Sequence, residues 1–298
     1  MQSIEIGGVA VEPLVHFANR PLAPAAFFPG HDPAVWRAHR SWLAPDHWDP
    51  DADRVGITVQ SWLLRDAGTT VLVDTGLEPG VPAGLDPAGV DLVVCTHLHG
   101  DHIGGNVLAG GAPAYPNARY LFAAADLAFF DPATLVEEPG RSAAAYRRSI
   151  APILDAGLAE VWDGRRALTP SLTLVAAPGH TPGHGVVELA SGGERALFAG
   201  DALHSPAQIL HPEVSSCFCH DPAEAARTRL RLLGWAADHR ALVVPAHFGG
   251  GRAVEVRRAG DGYAVHRWAF PAAAGGGRVT GRGDGVVGAR RPRGEDPE

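Results

Sequence analysis

The chain has 298 residues, a formal net charge of -8 and a hydrophobic fraction of 46%, enough for the core of one layered α/β domain. Its 25 basic residues are all arginine, which excludes a Schiff-base lysine, a P-loop lysine and a Ser-x-x-Lys nucleophile. The acidic balance, without any basic stripe, argues against nucleic acid as a partner.

No Gly-x-Ser-x-Gly elbow is present either. The cysteines Cys95, Cys217 and Cys219 are odd in number and form no framework, which points to a reducing compartment. Met1–Ile6 carries no basic region leading into a long apolar one, and no apolar stretch reaches membrane-spanning length. The expectation is a cytoplasmic protein with no membrane partner and a small-molecule substrate.

In chain order, Ile4–Ile6 and Val9–Val15, hinged at Gly7-Gly8, read as a hairpin. Residues 19–54 are rich in proline and carry Trp36, Trp42 and Trp48. Asp32-Pro33 suits the start of a short helix running through Leu43. The tryptophans either pack this segment onto the body, or wall a substrate cleft or a homodimer contact. Ile57–Leu64 and Thr70–Val73 form a strand pair, the second ending in Asp74-Thr75-Gly76. The apolar run 91–96 reads as a buried strand and empties into His97-Leu98-His99-Gly100-Asp101-His102, with Gly104-Gly105 close behind.

In extended chain the rings of His97 and His99 point the same way, whereas Asp101 and His102, being adjacent, point apart. One short stretch can therefore serve two neighbouring metal ions. Imidazole with carboxylate suits zinc and its first-row neighbours.

Further along, 119–122 reads as a strand, 123–130 as a helical turn and Ser142–Leu154 as a helix with Tyr146, Ile150 and Leu154 on one face. Leu172–Val175 runs into Pro178-Gly179-His180-Thr181-Pro182-Gly183-His184. Val186–Leu189 and Arg195–Phe198 pair across Ser191-Gly192-Gly193, and the second leads to Gly200-Asp201. Asp221-Pro222 opens a helix through Asp238, with Ala225, Leu230, Leu233 and Ala237 marking its inner face. Leu242–Val244 is the last buried strand and ends at His247; Arg252–Arg267 reads as a closing hairpin. Residues 272–298, Gly- and Arg-rich without periodicity, read as a disordered tail after a catalytic domain over 1–271. A Gly-x-Gly-x-x-Gly match and an Arg-Gly-Asp tripeptide in that tail lack the context that would give them meaning.

Asp74, the His97–His102 motif, His180, Asp201 and His247 each follow a short apolar strand. Groups gathered at strand ends are how layered α/β sheets build sites. The series Asp-Thr-Gly, His-x-His-x-Asp-His, Gly-His-Thr-Pro-Gly-His, Gly-Asp and a late Ala-His resembles the metallo-β-lactamase superfamily over residues 74–247. The resemblance implies an α/β fold, an αββα four-layer sandwich, with the active site between two sheets. It implies two divalent ions, zinc first, with manganese or iron as substitutes. His97, His99 and His180 would hold one, Asp101, His102 and His247 the other, and Asp201 would bridge them. Asp74 would orient a ligand from outside, and His184 would hydrogen-bond or pack behind the site. The implied chemistry is attack by a metal-bridging hydroxide on an ester-like carbonyl, with Asp101 carrying a proton to the leaving group.

Within the superfamily, the bridging Asp201 departs from true β-lactamases, and His99 departs from the flavodiiron enzymes, which carry Glu there. Residues 198–208 and 221–229 are similar to the branch of N-acyl homoserine lactonases and methyl parathion hydrolase-like enzymes. That branch implies a small ester, lactone or organophosphate-like substrate. His204 stands where such a lactonase carries Tyr; it either donates a hydrogen bond in catalysis or packs. Cys217 and Cys219 read as loop packing. The alternatives are a glyoxalase II-like thioesterase and a mononuclear-iron dioxygenase of the same fold.

Overall fold

Runs in which successive apolar residues face opposite ways build two sheets buried on both sides. The computed structural model describes residues 3–133 and 141–270; the expected tail lies outside the described residues. The strands of the first half are β1 (Ile4–Ile6), β2 (Val9–Asn19), the short pair β3 (Trp48–Asp49) and β4 (Arg54–Val55), β5 (Ile57–Asp66), β6 (Thr69–Val73), β7 (Leu92–Val94), β8 (Arg119–Ala123) and β9 (Ala159–Trp162). All but β3 and β4 form one seven-stranded sheet, ordered β1-β2-β5-β6-β7-β8-β9. It is antiparallel as far as β6 and parallel from β6 to β9.

The second sheet holds β10 (Arg165–Ala167), β11 (Leu172–Ala176), β12 (Gly185–Ser191), β13 (Glu194–Gly200), β14 (Leu242–Pro245), β15 (Val254–Ala259) and β16 (Gly262–Trp268) in sequence order. Its one parallel pair is β13 with β14.

Alternation assigns each side chain to a layer. In β6, Val71 and Val73 enter the core between the sheets, while Leu72 joins the cluster on the first sheet's outer face. In β13, Ala196 and Phe198 face the other sheet, and Leu197 and Ala199 face outward. The outer face of the second sheet is covered by a long helix, Pro222–His239, through Leu232, Leu233 and Ala236. The outer face of the first is covered in part by helices Arg141–Ser149 and Ala151–Asp155 through Ile150 and Ile153. The result is the expected αββα sandwich. Among the described residues no helix is long and apolar enough to cross a membrane.

Numbered in chain order, the helices are α1 (Pro24–Phe27), α2 (Pro33–Ala38), α3 (Arg40–Leu43), α4 (Gly100–Ile103), α5 (Ala124–Phe130), α6 (Arg141–Ser149), α7 (Ala151–Asp155), α8 (Ala207–Leu210) and α9 (Pro222–His239). Three expectations need correction. The helix expected from Asp32 to Leu43 is two, because His39 leaves helical backbone at φ -110°, ψ 18°. The helix expected over Ser142–Leu154 breaks at Ile150. Pro152, in the first turn of α7, has no N–H to donate to the carbonyl four residues back. The break shifts the buried face, so Ile153 is buried and Leu154 is exposed. In α9, Leu230 is exposed and Arg229 is buried. The Arg229 guanidinium stays inside because it donates to the carbonyls of Ala202, Pro212 and Val214 at 2.7–2.9 Å.

The tryptophan-bearing segment packs onto the body. Trp36 and Trp48 are buried with Phe27, Phe28, Leu43, Val55 and Ala207, and Trp42 is partly buried against them.

Candidate metal centre

Five turns at the ends of buried strands bring the polar residues to one edge of the inter-sheet core. β6 leads to Asp74, β7 to His97, β11 to His180, β13 to Asp201 and β14 to His247. Glycines let these turns close on one another. A Cβ on Gly104 would lie 1.8 Å from the Leu77 carbonyl oxygen, so only glycine lets the His97–His102 turn press against the turn after Asp74. Gly200 has φ +49°, and a Cβ there would meet His184 Nε2 at 2.7 Å. His184 Nε2 instead accepts the Asp201 backbone N–H at 3.0 Å, and its Nδ1–H donates to the Ala177 carbonyl at 3.1 Å. Sequence left His184 between hydrogen bonding and packing; it holds the backbone of Asp201.

The seven residues expected to bind metal fall into two groups around one carboxylate. His97 Nε2, His99 Nδ1 and His180 Nε2 lie 3.0–3.2 Å apart pairwise. Asp201 Oδ2 is 3.2 Å from His180 Nε2 and 3.7 Å from His97 Nε2. The other oxygen, Oδ1, is 3.2 Å from His102 Nε2 and 3.1 Å from His247 Nε2, which also lies 3.2 Å from Oδ2. Asp101 Oδ2 completes that second group at 3.7 Å from His102 Nε2 and 3.6 Å from His247 Nε2. Asp201 thus stands between a group of His97, His99 and His180 and a group of Asp101, His102 and His247.

The residues fit divalent ions. Two nitrogens bound to one tetrahedral zinc lie about 3.3 Å apart, close to the spacing of the three ring nitrogens. Outward hydrogen bonds also fix the tautomers. His102 Nδ1–H donates to Asp74 Oδ2 at 2.8 Å, and His247 Nδ1–H to the Thr58 carbonyl at 3.0 Å. His97 Nδ1–H donates to Thr96 Oγ1 at 3.1 Å, and that hydroxyl passes its own proton towards Asp74. Each of these rings therefore presents an Nε2 lone pair to the centre. Without a cation, protons on His102 and His247 are the positive charge left against the ionised Asp201 carboxylate. His102 Nε2 and Asp201 Oδ1 remain buried without a well-directed partner.

The protonation pattern differs between the two groups. Burial, aided by neighbouring histidines, pushes His97 well below its ordinary value, His99 down to about 3 and His180 to about 4, so all three are neutral at pH 7. Burial would raise Asp201, but His102, His247, His204 and His180 hold it well below the usual carboxylate range. Burial pushes Asp101 up as well; His102 and His247 more than offset it, and the group sits below its ordinary value. His102 and His247 go the other way. Burial lowers them, but Asp201, with Asp74 and Asp101 for the first and Asp101 for the second, raises both above theirs.

Two residues that sequence reasoning missed hold the frame. Asp126, on α5, is fully buried and accepts the N–H of Leu98 at 3.2 Å, the Thr181 hydroxyl at 2.9 Å and the Gly183 N–H at 2.6 Å. It ties the His97 turn to the His180 turn. Gln60 donates to the carbonyls of Pro245 and Phe248 at 3.3 and 2.9 Å, on either side of His247. A carboxylate just after a buried strand was the one signal for Asp126; Gln60 gave none.

His204, the other expected catalytic residue, is buried with Nε2 3.2 Å from Asp201 Oδ2. A cleft of about 620 Å³ opens over the cluster, lined by His99, Asp101, Asp201, His204 and His247 and by apolar side chains such as Phe17, Phe27, Ile57 and Phe218. Trp36, Trp42 and Trp48 are not among its lining residues.

The sequence profile of the metallo-beta-lactamase superfamily matches residues 54–247. The chain belongs to the metallo-beta-lactamase superfamily. No curated protein matches it in sequence. Among solved structures, this superfamily member is similar to AidC, a dizinc quorum-quenching lactonase in complex with its product N-hexanoyl-L-homoserine. The identity is 20%, the match covers 89% of this chain and 96% of that one, and the TM-score is 0.75. It is also similar to the hydrolase AbOPH of the beta-lactamase superfamily, at 23% identity, 90% and 96% coverage and a TM-score of 0.74. At these identities the likeness is one of fold. Superfamily membership and the His/Asp cluster together support a metal-dependent hydrolase with a divalent-metal site.

Asp74 offers a direct check on the outer shell. Asp74 has φ +62°, a conformation that Asn also tolerates. Asp74→Asn therefore keeps the backbone and removes the charge that holds His102 and Thr96. Zinc affinity, measured by competition with a chromophoric chelator, is expected to fall about 10- to 100-fold; unchanged affinity would mean that Asp74 does not support the ligands.

Proposed function

We propose that the protein is a hydrolase that works through two divalent ions, most simply zinc, on a small ester or lactone. The observation that carries this reading is the Asp201 carboxylate, within 3.1–3.2 Å of His180 in one ligand group and of His102 and His247 in the other. Ions held by His97, His99 and His180, by Asp101, His102 and His247, and by Asp201 between them would supply a water that ionises near neutral pH and positive charge against the substrate oxygen. That chemistry needs no serine, cysteine or lysine nucleophile.

The chain's own residues do the rest. Asp101 is the more open carboxylate, its side chain 32% exposed against 5% for Asp201. It is placed at the cleft to take a proton from the nucleophile and return it to the leaving oxygen. His204 carries an N–H at the rim of the cluster; with Asp201 committed to ions, that N–H is available to the substrate oxygen. Phe17, Phe27, Ile57, Val59, Leu98 and Phe218 exclude water and take up an apolar body. A cleft of about 620 Å³ suits a small molecule. The fold likeness to a dizinc lactonase supports a lactone among the candidates.

The complete second group of Asp101, His102 and His247 favours this reading over a mononuclear iron enzyme. Among the described residues Arg148 is the one arginine in the cleft lining, which offers little grip for an anionic thioester carrier.

The test is a screen of zinc-loaded protein against lactones of graded acyl length, aryl esters, thioesters and phosphotriesters. Lactones or aryl esters are expected to give the highest kcat/KM. A clear preference for thioesters would replace this reading with a glyoxalase II-like one, and no turnover of lactones or esters above a protein-free blank would remove it.

A further inference from the structure

We infer that Cys219 is the positioning residue of His180, a sulfur latch that braces this ring more loosely than oxygen braces His97, His102 and His247. The inference rests on the two-ion reading. Three inward-facing histidines are backed by oxygen: His102 by a carboxylate, His97 by a hydroxyl and His247 by a carbonyl. Behind His180 stands a thiol instead, with Cys219 Sγ 3.6 Å from Nδ1.

The turn that carries Cys219 is fixed independently of that contact. The His220 N–H donates to the His180 carbonyl and the Asp221 N–H to the Gly179 carbonyl, both at 2.9 Å. The Cys219 N–H closes the turn on the Ser216 carbonyl at 3.2 Å, and the Cys217 N–H ties its start to the Phe27 carbonyl at 2.8 Å. Ser216 Oγ lies 3.5 Å from both Cys219 Sγ and His204 Nε2. Backbone therefore delivers the sulfur to the outer edge of the His180 ring. With its Nε2 lone pair turned to the centre, His180 donates Nδ1–H to Cys219. Sulfur is a weak acceptor, so it orients the ring but does little to raise its basicity, whereas the Asp74 carboxylate does both for His102.

Zinc alone is the probe. Chelator-stripped wild type, Cys219→Ala and Cys219→Ser are titrated against a chromophoric chelator, with metal-free melting temperatures and cobalt-substituted spectra alongside. In Cys219→Ala one of the two zinc ions is expected to bind about tenfold more weakly, with the metal-free melting temperature held. In Cys219→Ser the shorter C–O bond draws the acceptor back from Nδ1, so the same ion is expected to bind more weakly than in wild type. The cobalt spectrum of the wild type should lack a sulfur-to-cobalt charge-transfer band. Unchanged zinc binding in Cys219→Ala overturns the inference, and so does such a band, which would make Cys219 a ligand. If Cys219→Ala does not fold, the serine variant decides: unchanged zinc binding there overturns it. Wild-type protein that binds fewer than two ions would fail the two-ion reading itself and take this inference with it; wild type with two ions and an indifferent Cys219→Ala fails the inference alone.

Discussion

Asp201→Ala is expected to leave a folded chain that loses its bound metal and its hydrolytic activity together, with kcat/KM down by at least about a thousandfold. Asp201 lies within 3.1–3.2 Å of His180 in one ligand group and of His102 and His247 in the other. Its removal therefore takes a donor from both groups and leaves the cationic charge of the centre less balanced. The fold should survive, because the Asp201 backbone N–H still bonds His184 Nε2 and the surrounding β13 strand is buried on both faces. Metal content by mass spectrometry and kcat/KM on the best lactone or aryl ester check the two halves. A variant that hydrolyses at the wild-type rate would mean that Asp201 does not bridge.

Metal removal should also cost stability. Ions that bind only the native state add RT ln(1 + [L]/Kd), or about 4 kcal/mol per site when free ion exceeds Kd a thousandfold. For a chain of this size that is a fall in Tm of order 10 °C per site on chelation. The effect depends on pH in a definite direction. Without metal, His102 and His247 have pKa values above their ordinary ones. Their protons stabilise the metal-free fold below the unfolded-state pKa, and this contribution fades as pH rises through the folded value. Ion binding must displace those protons, so affinity falls as pH falls. The gap in Tm between metal-loaded and stripped protein is therefore expected to widen from pH 6 to pH 8. Calorimetry with and without chelator measures it; equal Tm values throughout would show that the cluster holds no ion in the native state.

The site was legible because its residues sit where apolar runs stop. A strand buried on both faces writes itself as consecutive Val, Leu and Phe, and the residues at its end enter the open edge between the sheets. Asp74, His97, His180, Asp201 and His247 all carry that mark. The fold followed from the same runs together with the superfamily resemblance of the motifs. Other features depend on partners far away in sequence. Arg229 reads as a surface charge until the carbonyls of Ala202, Pro212 and Val214 are seen to meet it. Asp126 reads as a helix-start acid until the backbone of two ligand turns converges on it. The short strands β9 and β10 left no signal, since β10 is Arg165-Arg166-Ala167 and exposed along its length. The tryptophans left two readings open because burial and cleft lining demand the same side chain; Phe27 and Phe218 line the cleft, and Trp36 packs beneath.

The most direct measurement is metal content per folded chain, by mass spectrometry on protein purified without added metal and again after zinc loading, with hydrolysis followed on the same samples. The two ligand groups around Asp201 predict two divalent ions per loaded chain, with ester or lactone hydrolysis rising as the second is filled. A chain that saturates with a single redox-active iron and hydrolyses neither class of substrate would contradict it.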